Sequence, residues 1–239
     1  DAVTRLRGET GSPVTITIFR DSFKAPKEFT IVRAIIKVRS VVHKLYKKDI
    51  GYIKIRSFSK NTSLDLDKAL GELEKKGISK LILDLRNNPG GLLNQAVEVT
   101  DRFLNRENLI VYTKGRSDEQ NMRFISHDKV AGVSYPLIIL VNSGSASASE
   151  IVAGALQDLN RAIILGTPTF GKGSVQTIIP LSDGSALRLT TARYYTPSGQ
   201  IIQENGITPD IVIENQPVPT ISKKNDANAK KPTEKERIR

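Results

Sequence analysis

Leu137-Ile-Ile-Leu-Val-Asn-Ser-Gly-Ser-Ala-Ser-Ala-Ser-Glu150, followed after a helix and a short strand by Thr169-Phe-Gly-Lys-Gly-Ser-Val-Gln176, is the stretch that decides the fold. The apolar run Leu137 to Val141 is short enough for a buried strand. Small and hydroxylic residues follow without a break, and Glu150 to Asp158 reads as a helix. A strand that turns sharply into a helix brings small side chains to the helix N-terminus. Free amides and the positive dipole end favour negative charge there. Such a turn suits a serine nucleophile, whose attack creates an oxyanion.

Ser143, Ser145, Ser147 and Ser149 all lie in this turn, and pattern alone does not choose among them. Ser147 with Glu150 also reads as a capping box, in which Ser147 only starts the helix. Lys172 stands between Gly171 and Gly173, in a loop before a strand over Val175 to Ile179. A flexible backbone can carry such a lysine inward. An amine buried beside a hydroxyl loses stabilisation of its charge and becomes a usable general base. A solvated loop lysine is the competing reading.

Asn142-Ser-Gly-Ser-Ala-Ser-Ala-Ser-Glu-Ile-Val-Ala-Gly-Ala-Leu-Gln-Asp158 and Gly166-Thr-Pro-Thr-Phe-Gly-Lys-Gly-Ser-Val-Gln176 together resemble the carboxy-terminal processing (tail-specific) proteases. These are serine endopeptidases that use lysine in place of histidine. The resemblance implies that Ser147 is the nucleophile, Lys172 the base and Gln176 the residue that orients the lysine. Asp158 aligns with an acidic position of importance in the family. Protein or peptide substrates with exposed C-termini follow as partners, and adaptor binding or self-association stays open. Because Lys172 must be neutral to act, activity is expected to rise with pH.

Asp84-Leu-Arg-Asn-Asn-Pro-Gly-Gly91 is a second strand–turn–helix junction. Adjacent glycines free the backbone to present amides to a ligand. The resemblance places one oxyanion donor at Gly90 or Gly91 and the other at the amide of Ala148. A tight turn that needs glycine is compatible with this. Asp84, Arg86 and Asn88 read as braces for the loop. His43 and His127 lie in charged, loop-like surroundings and match no family catalytic position. The two histidines are far apart and His-Glu-x-x-His is missing, so no metal is expected. Gly166 to Gly173 has glycine where a P-loop needs Ser or Thr, so no nucleotide or other cofactor is expected.

The 239 residues carry a net charge of +11 and no cysteine, which removes disulfides and thiolate chemistry. Residues 216–239 hold seven Lys/Arg against three Asp/Glu, or +4, and the remaining +7 is spread out with few aromatics nearby. That spread favours solubility or attraction to an anionic surface over specific nucleic-acid recognition. No apolar run approaches the roughly 18 residues that a membrane span needs. The chain opens at Asp1 without methionine or signal peptide, which reads as a processed or excised piece.

Along the chain, the pattern predicts a helix end over 1–7, then strands over Pro13 to Arg20 and Phe29 to Val38. A polar bridge, Val41 to Lys48, precedes a strand over Gly51 to Phe58. A helix from Thr62 or Ser63 to Gly77 is followed by a strand, Ile78 to Leu85, and a helix, Leu92 to Leu104. After a strand at Leu109 to Thr113 comes a polar connection, Lys114 to Val133. Past Gln176, Asp183-Gly184 marks a hairpin between Val175–Pro180 and Ala186–Tyr194, and Ile211 to Ile213 is a last strand. The fold class is α/β. By resemblance, 1–38 is the C-terminal part of a PDZ domain and 39–215 is a crotonase-like spiral protease core. Residues 216–239 form a lysine-rich tail expected to be disordered or a linker. In the same PDZ segment, Arg7 is either a link to the active site or a surface arginine. The family resemblance also points to the periplasm or envelope of a bacterium. A non-catalytic peptide-binding scaffold that keeps the fold is the alternative function.

Overall fold

A computed structural model describes residues 2–35, 39–127 and 134–213. A short helix α1 (Ala2–Leu6) precedes an antiparallel hairpin of β1 (Pro13–Ile18) and β2 (Lys27–Val32). Arg33 ties this segment together by donating to the carbonyls of Arg5, Leu6 and Pro13 and to Ser12 Oγ.

The core follows as β3 (Val41–Tyr46), β4 (Ile50–Ile55), α2 (Thr62–Glu74), β5 (Lys80–Asp84) and α3 (Leu93–Asp101). Next come β6 (Leu109–Gly115), a 3₁₀ turn (Asp118–Gln120), β7 (Arg123–Ile125), β8 (Leu137–Val141) and α4 (Ala148–Asp158). The last elements are β9 (Ile163–Gly166), β10 (Ser174–Pro180), β11 (Ala186–Tyr195) and β12 (Ile211–Val212). One sheet has the order β12-β9-β8-β5-β4-β3 and is parallel except for β3. A smaller antiparallel sheet has the order β10-β11-β6-β7.

Alternation of strand and helix forces parallel pairing, because each crossover helix must cover the sheet it leaves. Helix α4 touches β9 of the large sheet, β6 of the small sheet and α3. That layered position explains its sequence: every residue from Ala148 to Leu156 is buried, and most are small or apolar. The core is built from Ile53, Ile55, Leu83, Ile139, Val152 and Leu156, all fully buried.

The adjacent strands β5 and β8 both end at the same edge of the sheet, so the loops that follow them lie side by side. Carboxyl ends of parallel strands are where α/β sheets place ligands. Two expectations need correction. Val41 to Tyr46 is a strand paired with β4 and not a bridge, and its His43 and Lys44 are the charges that an edge strand tolerates. The polar connection after Thr113 holds the end of β6, the 3₁₀ turn and β7. Val38, in the expected second strand, and the tail 216–239 lie outside the described residues.

Candidate active site

Ser147 lies in the turn between β8 and α4 at this edge. Its backbone sits at φ 57° and ψ −114°, a region that side-chain-bearing residues rarely enter. Strain of this kind persists only where neighbours hold it, and it is concentrated at functional sites. Here the neighbours are explicit. Ser145 Oγ donates to the Leu85 carbonyl (2.8 Å), Ala146 N to the Asn88 carbonyl (3.0 Å), and Ser149 Oγ to the same carbonyl (2.9 Å). Asn142 and Asn87 exchange two further bonds of 2.8 and 2.9 Å. The serine turn is thus stitched along its length to the glycine loop.

In the glycine loop the two glycines have different roles. The Gly90 amide donates to Asn88 Oδ1 at 2.9 Å, so it is already committed. What Gly90 contributes is space: a Cβ there would lie 2.7 Å from the Ala146 carbonyl oxygen, 2.8 Å from Ser147 Cβ and 2.9 Å from Ala148 N. Gly91 sits beside Phe58, whose amide and carbonyl bond to Gly90 and Leu92. Among the described residues, neither the Gly91 amide nor the Ala148 amide has a hydrogen-bond acceptor. Gly90→Ala is expected to push the Ser147 turn away, destabilising the fold by about 1–3 kcal/mol. Urea unfolding checks this, with an unchanged midpoint as the contrary result.

Asp84, fully buried at the end of β5, braces the start of the same loop. It accepts from Tyr52 Oη (2.6 Å), Lys54 Nζ (3.3 Å), and the Arg86 amide (2.9 Å), Nε (2.9 Å) and Nη2 (2.7 Å). Burial pushes its carboxyl up, but the Arg86 side chain, the Tyr52 hydroxyl and the Arg86 amide outweigh burial and bring it to about 2. A free aspartate titrates near 3.9, so this depressed value stabilises the fold above about pH 4 and the benefit is lost as pH falls toward 2. Asp84→Asn should therefore cost about 3 kcal/mol at neutral pH, as breaking a buried pair does. The gap from wild type should close in acid, read by unfolding midpoints across pH.

Glu150 joins the serine turn to the lysine loop. It is fully buried in the first turn of α4, and its two oxygens accept four hydrogen bonds. Oε2 takes the amides of Ser147 (2.7 Å) and Lys172 (2.9 Å). Oε1 takes the Thr169 hydroxyl (2.5 Å) and the Gly171 amide (2.6 Å). The Phe170 amide adds a bond to the Ser145 carbonyl at 3.0 Å. One oxygen atom thus fixes the backbones of Ser147 and Lys172 together. Sequence reading assigned Glu150 only a cap. The signal that could have found more is the Gly-Lys-Gly run, whose bare backbone offers adjacent amides to a carboxylate.

The Lys172 side chain is exposed, as in the solvated-loop reading, and among the described residues that side chain has no hydrogen-bond or ion-pair partner. Gln176 is exposed on β10, where the pairing with β11 shifts register between Val175 and Gln176. Bulges of this kind re-aim side chains and are common beside active sites. Asp158 is the last residue of α4, ten residues past Ala148, about 15 Å along the axis at 1.5 Å per residue. Its Oδ2 accepts the Ser198 amide at 2.8 Å and so anchors the turn after β11. Arg7 is exposed, and its amide closes α1 on the Val3 carbonyl at 3.0 Å. His43 pairs with Glu72 at 3.1 Å on the edge strand, and the His127 amide bonds to Asp101. Among the described residues no group of three or more acidic or histidine side chains is placed to hold a metal.

Fold and site geometry together define a class. The chain belongs to peptidase family S41, whose profile matches residues 49–213. It is 52% identical over 223 residues to a carboxy-terminal-processing protease of Bartonella bacilliformis, covering 92% of this chain and 51% of that protein. A carboxyl-terminal-processing protease of Synechocystis is 41% identical over 218 residues, covering 90% and 50%. The chain therefore spans about half the length of these curated relatives. Among solved structures, the photosystem II D1 C-terminal processing protease superposes with a TM-score of 0.68 at 32% identity, covering 87% of this chain and 57% of that one.

Proposed function

We propose that this chain carries the catalytic centre of a serine endopeptidase that cleaves protein substrates near or from their C-termini. The observation behind this reading is the Glu150 carboxylate, which holds the strained Ser147 turn and the Lys172 loop on one oxygen. In this mechanism neutral Lys172 takes the Ser147 proton while Oγ attacks the scissile carbonyl carbon. The free amides of Ala148 and Gly91 hold the oxyanion, with Gly90 supplying the room between them. The peptide C–N bond then breaks, the leaving amine takes the proton from Lys172, and an acyl-enzyme remains. Water, deprotonated by Lys172, then attacks the ester carbon; the bond to Ser147 Oγ breaks, Oγ takes the proton back from Lys172, and the acid product leaves. Substrate lying across the exposed Lys172 is what removes its amine from water, and Gln176 orients it.

Residues 1–38 are proposed to be the C-terminal part of a PDZ domain, and a bacterial envelope or periplasm is the proposed location. Both rest on resemblance. Casein hydrolysis by the full-length protein tests the reading. Because only a neutral Lys172 can act as base, Lys172→Ala should cut the rate about 10³-fold at alkaline pH and should lack the wild type's rise with pH. Equal rates for Lys172→Ala and wild type would overturn the dyad. No cleavage by the folded wild type at any pH would favour a non-catalytic scaffold.

A further inference from the structure

The four-stranded sheet contains an open fork remote in sequence from the Ser147 turn. Strand β6 pairs with β11 only through Tyr112–Gly115 against Tyr195–Ala192, whereas β11 begins at Ala186. The ladder stops because the chain turns away after Gly115. The Arg116 amide goes to Gln120 Oε1 at 2.8 Å, and the Asn121 side chain takes the Gly115 amide at 3.0 Å. A Cβ on Gly115 would lie 2.8 Å from the Thr191 carbonyl oxygen and closer still to the Gln120 side chain, so glycine is what allows this tight exit. Residues 186–190 of β11 are therefore paired with β10 on one side, Thr191 sits at the irregularity in that pairing, and among the described residues 186–191 pair with no strand on the other side.

A groove of about 540 Å³ fills the fork, lined among others by Lys114, Arg116, Gln120, Leu189, Thr191 and Arg193. Every charged residue in this lining is a cation, and among the described residues none of them forms an ion pair. Arg188 adds a further exposed cation on the free stretch. Leu187 and Leu189, 49% and 46% exposed, offer apolar contact along the same ribbon. An unpaired strand edge is a template for an added strand, with backbone bonds giving affinity and flanking side chains giving selectivity.

We propose that this fork docks an acidic, extended peptide segment, which adds to β11 as a strand in line with β6. Its carboxylates would meet Lys114, Arg116 and Arg193. The free stretch, at about 3.3 Å per residue, accommodates a segment of roughly five or six residues. The chain's own tail is the wrong occupant by charge, since residues 216–239 hold seven Lys/Arg against three Asp/Glu. A partner or substrate carrying such a segment would be held here whether or not Ser147 acts as a nucleophile.

The test uses full-length protein carrying Ser147→Ala, so that no probe is cut, and a fluorescein-labelled peptide Glu-Val-Glu-Thr-Glu-Val. The labelled amino end and an amidated carboxyl end prevent capture through terminal groups. Fluorescence anisotropy should show binding that weakens with salt. Combined Arg116→Glu and Arg193→Glu should weaken it about tenfold or more, and N-methylation of alternate peptide amides should abolish it. The N-methyl arm leaves the protein untouched, so misfolding of the double variant cannot rescue the proposal. The proposal fails if the acidic peptide does not bind, if charge reversal leaves affinity unchanged, or if the N-methylated or a lysine-for-glutamate peptide binds as well.

Discussion

Ser147→Ala is expected to lower peptide-bond hydrolysis by about 10⁴-fold or more while changing folding stability by no more than about 1 kcal/mol. The two halves of this expectation come from different atoms. In the proposed mechanism chemistry needs the hydroxyl, whose oxygen supplies the new bond to the substrate. The turn is held by the backbone: the Ser147 amide donates to Glu150, and its carbonyl accepts the amides of Glu150 and Ile151 at 2.8 and 3.0 Å. Removing Oγ leaves those three bonds in place. Initial rates on casein, with urea unfolding of the same sample, read both. A variant that cuts at the wild-type rate would show that another serine of the turn does the work. A variant that unfolds would show that Ser147 is chiefly structural.

Glu150→Gln should damage both stability and rate, although it changes one oxygen to an NH₂ of nearly the same size. Four donors converge on the carboxylate, two on each oxygen. A side-chain amide can accept at only one of those positions and must point its own donors at the other. Two buried N–H or O–H groups then lose their acceptor, each at about 1–3 kcal/mol, for a total near 3 kcal/mol. The Lys172 loop and the Ser147 turn lose their common anchor, and a displacement of about 1 Å at reacting groups lowers rates by about 10²-fold. Denaturant unfolding and turnover measured per folded molecule separate the two effects. Wild-type values of both would mean that Glu150 is only a helix cap.

Much of this site was legible because its elements have strong local signatures. The apolar run Leu137–Val141, the glycine pair at Gly90–Gly91 and the hydroxylic turn at Ser143–Ser149 each mark a junction without reference to anything distant. Ser147–Glu150 as a helix start was also readable. What sequence could not supply was the distance in space between residues far apart in the chain. Glu150 bonding to Thr169, Gly171 and Lys172 is of that kind; Asn88 binding the Gly90 amide is local, but it depends on where the Asn88 side chain points, which the sequence does not give. The choice of Gly91 over Gly90 as the free donor depends entirely on that second bond. Strand β3 escaped notice because edge strands carry charges that imitate a loop, and β7 because three residues give no periodicity. For Lys172 the sequence left both an inward and a solvated placement open; the amides of Gly171 and Lys172 bond to Glu150, that of Gly173 bonds to Gln203, and the side chain is left outside.

The central claim is that Ser147 is a nucleophile activated through Lys172, and covalent labelling tests it most directly. Full-length protein would be treated with a fluorophosphonate, which loses fluoride as a serine oxygen bonds to phosphorus. Intact mass and peptide mapping would follow, for wild type and for Lys172→Ala. The account predicts one adduct, on Ser147, forming faster as pH rises and at least about 10²-fold more slowly in Lys172→Ala. An adduct on another serine, or equal labelling of Ser147 with and without the lysine, would contradict it.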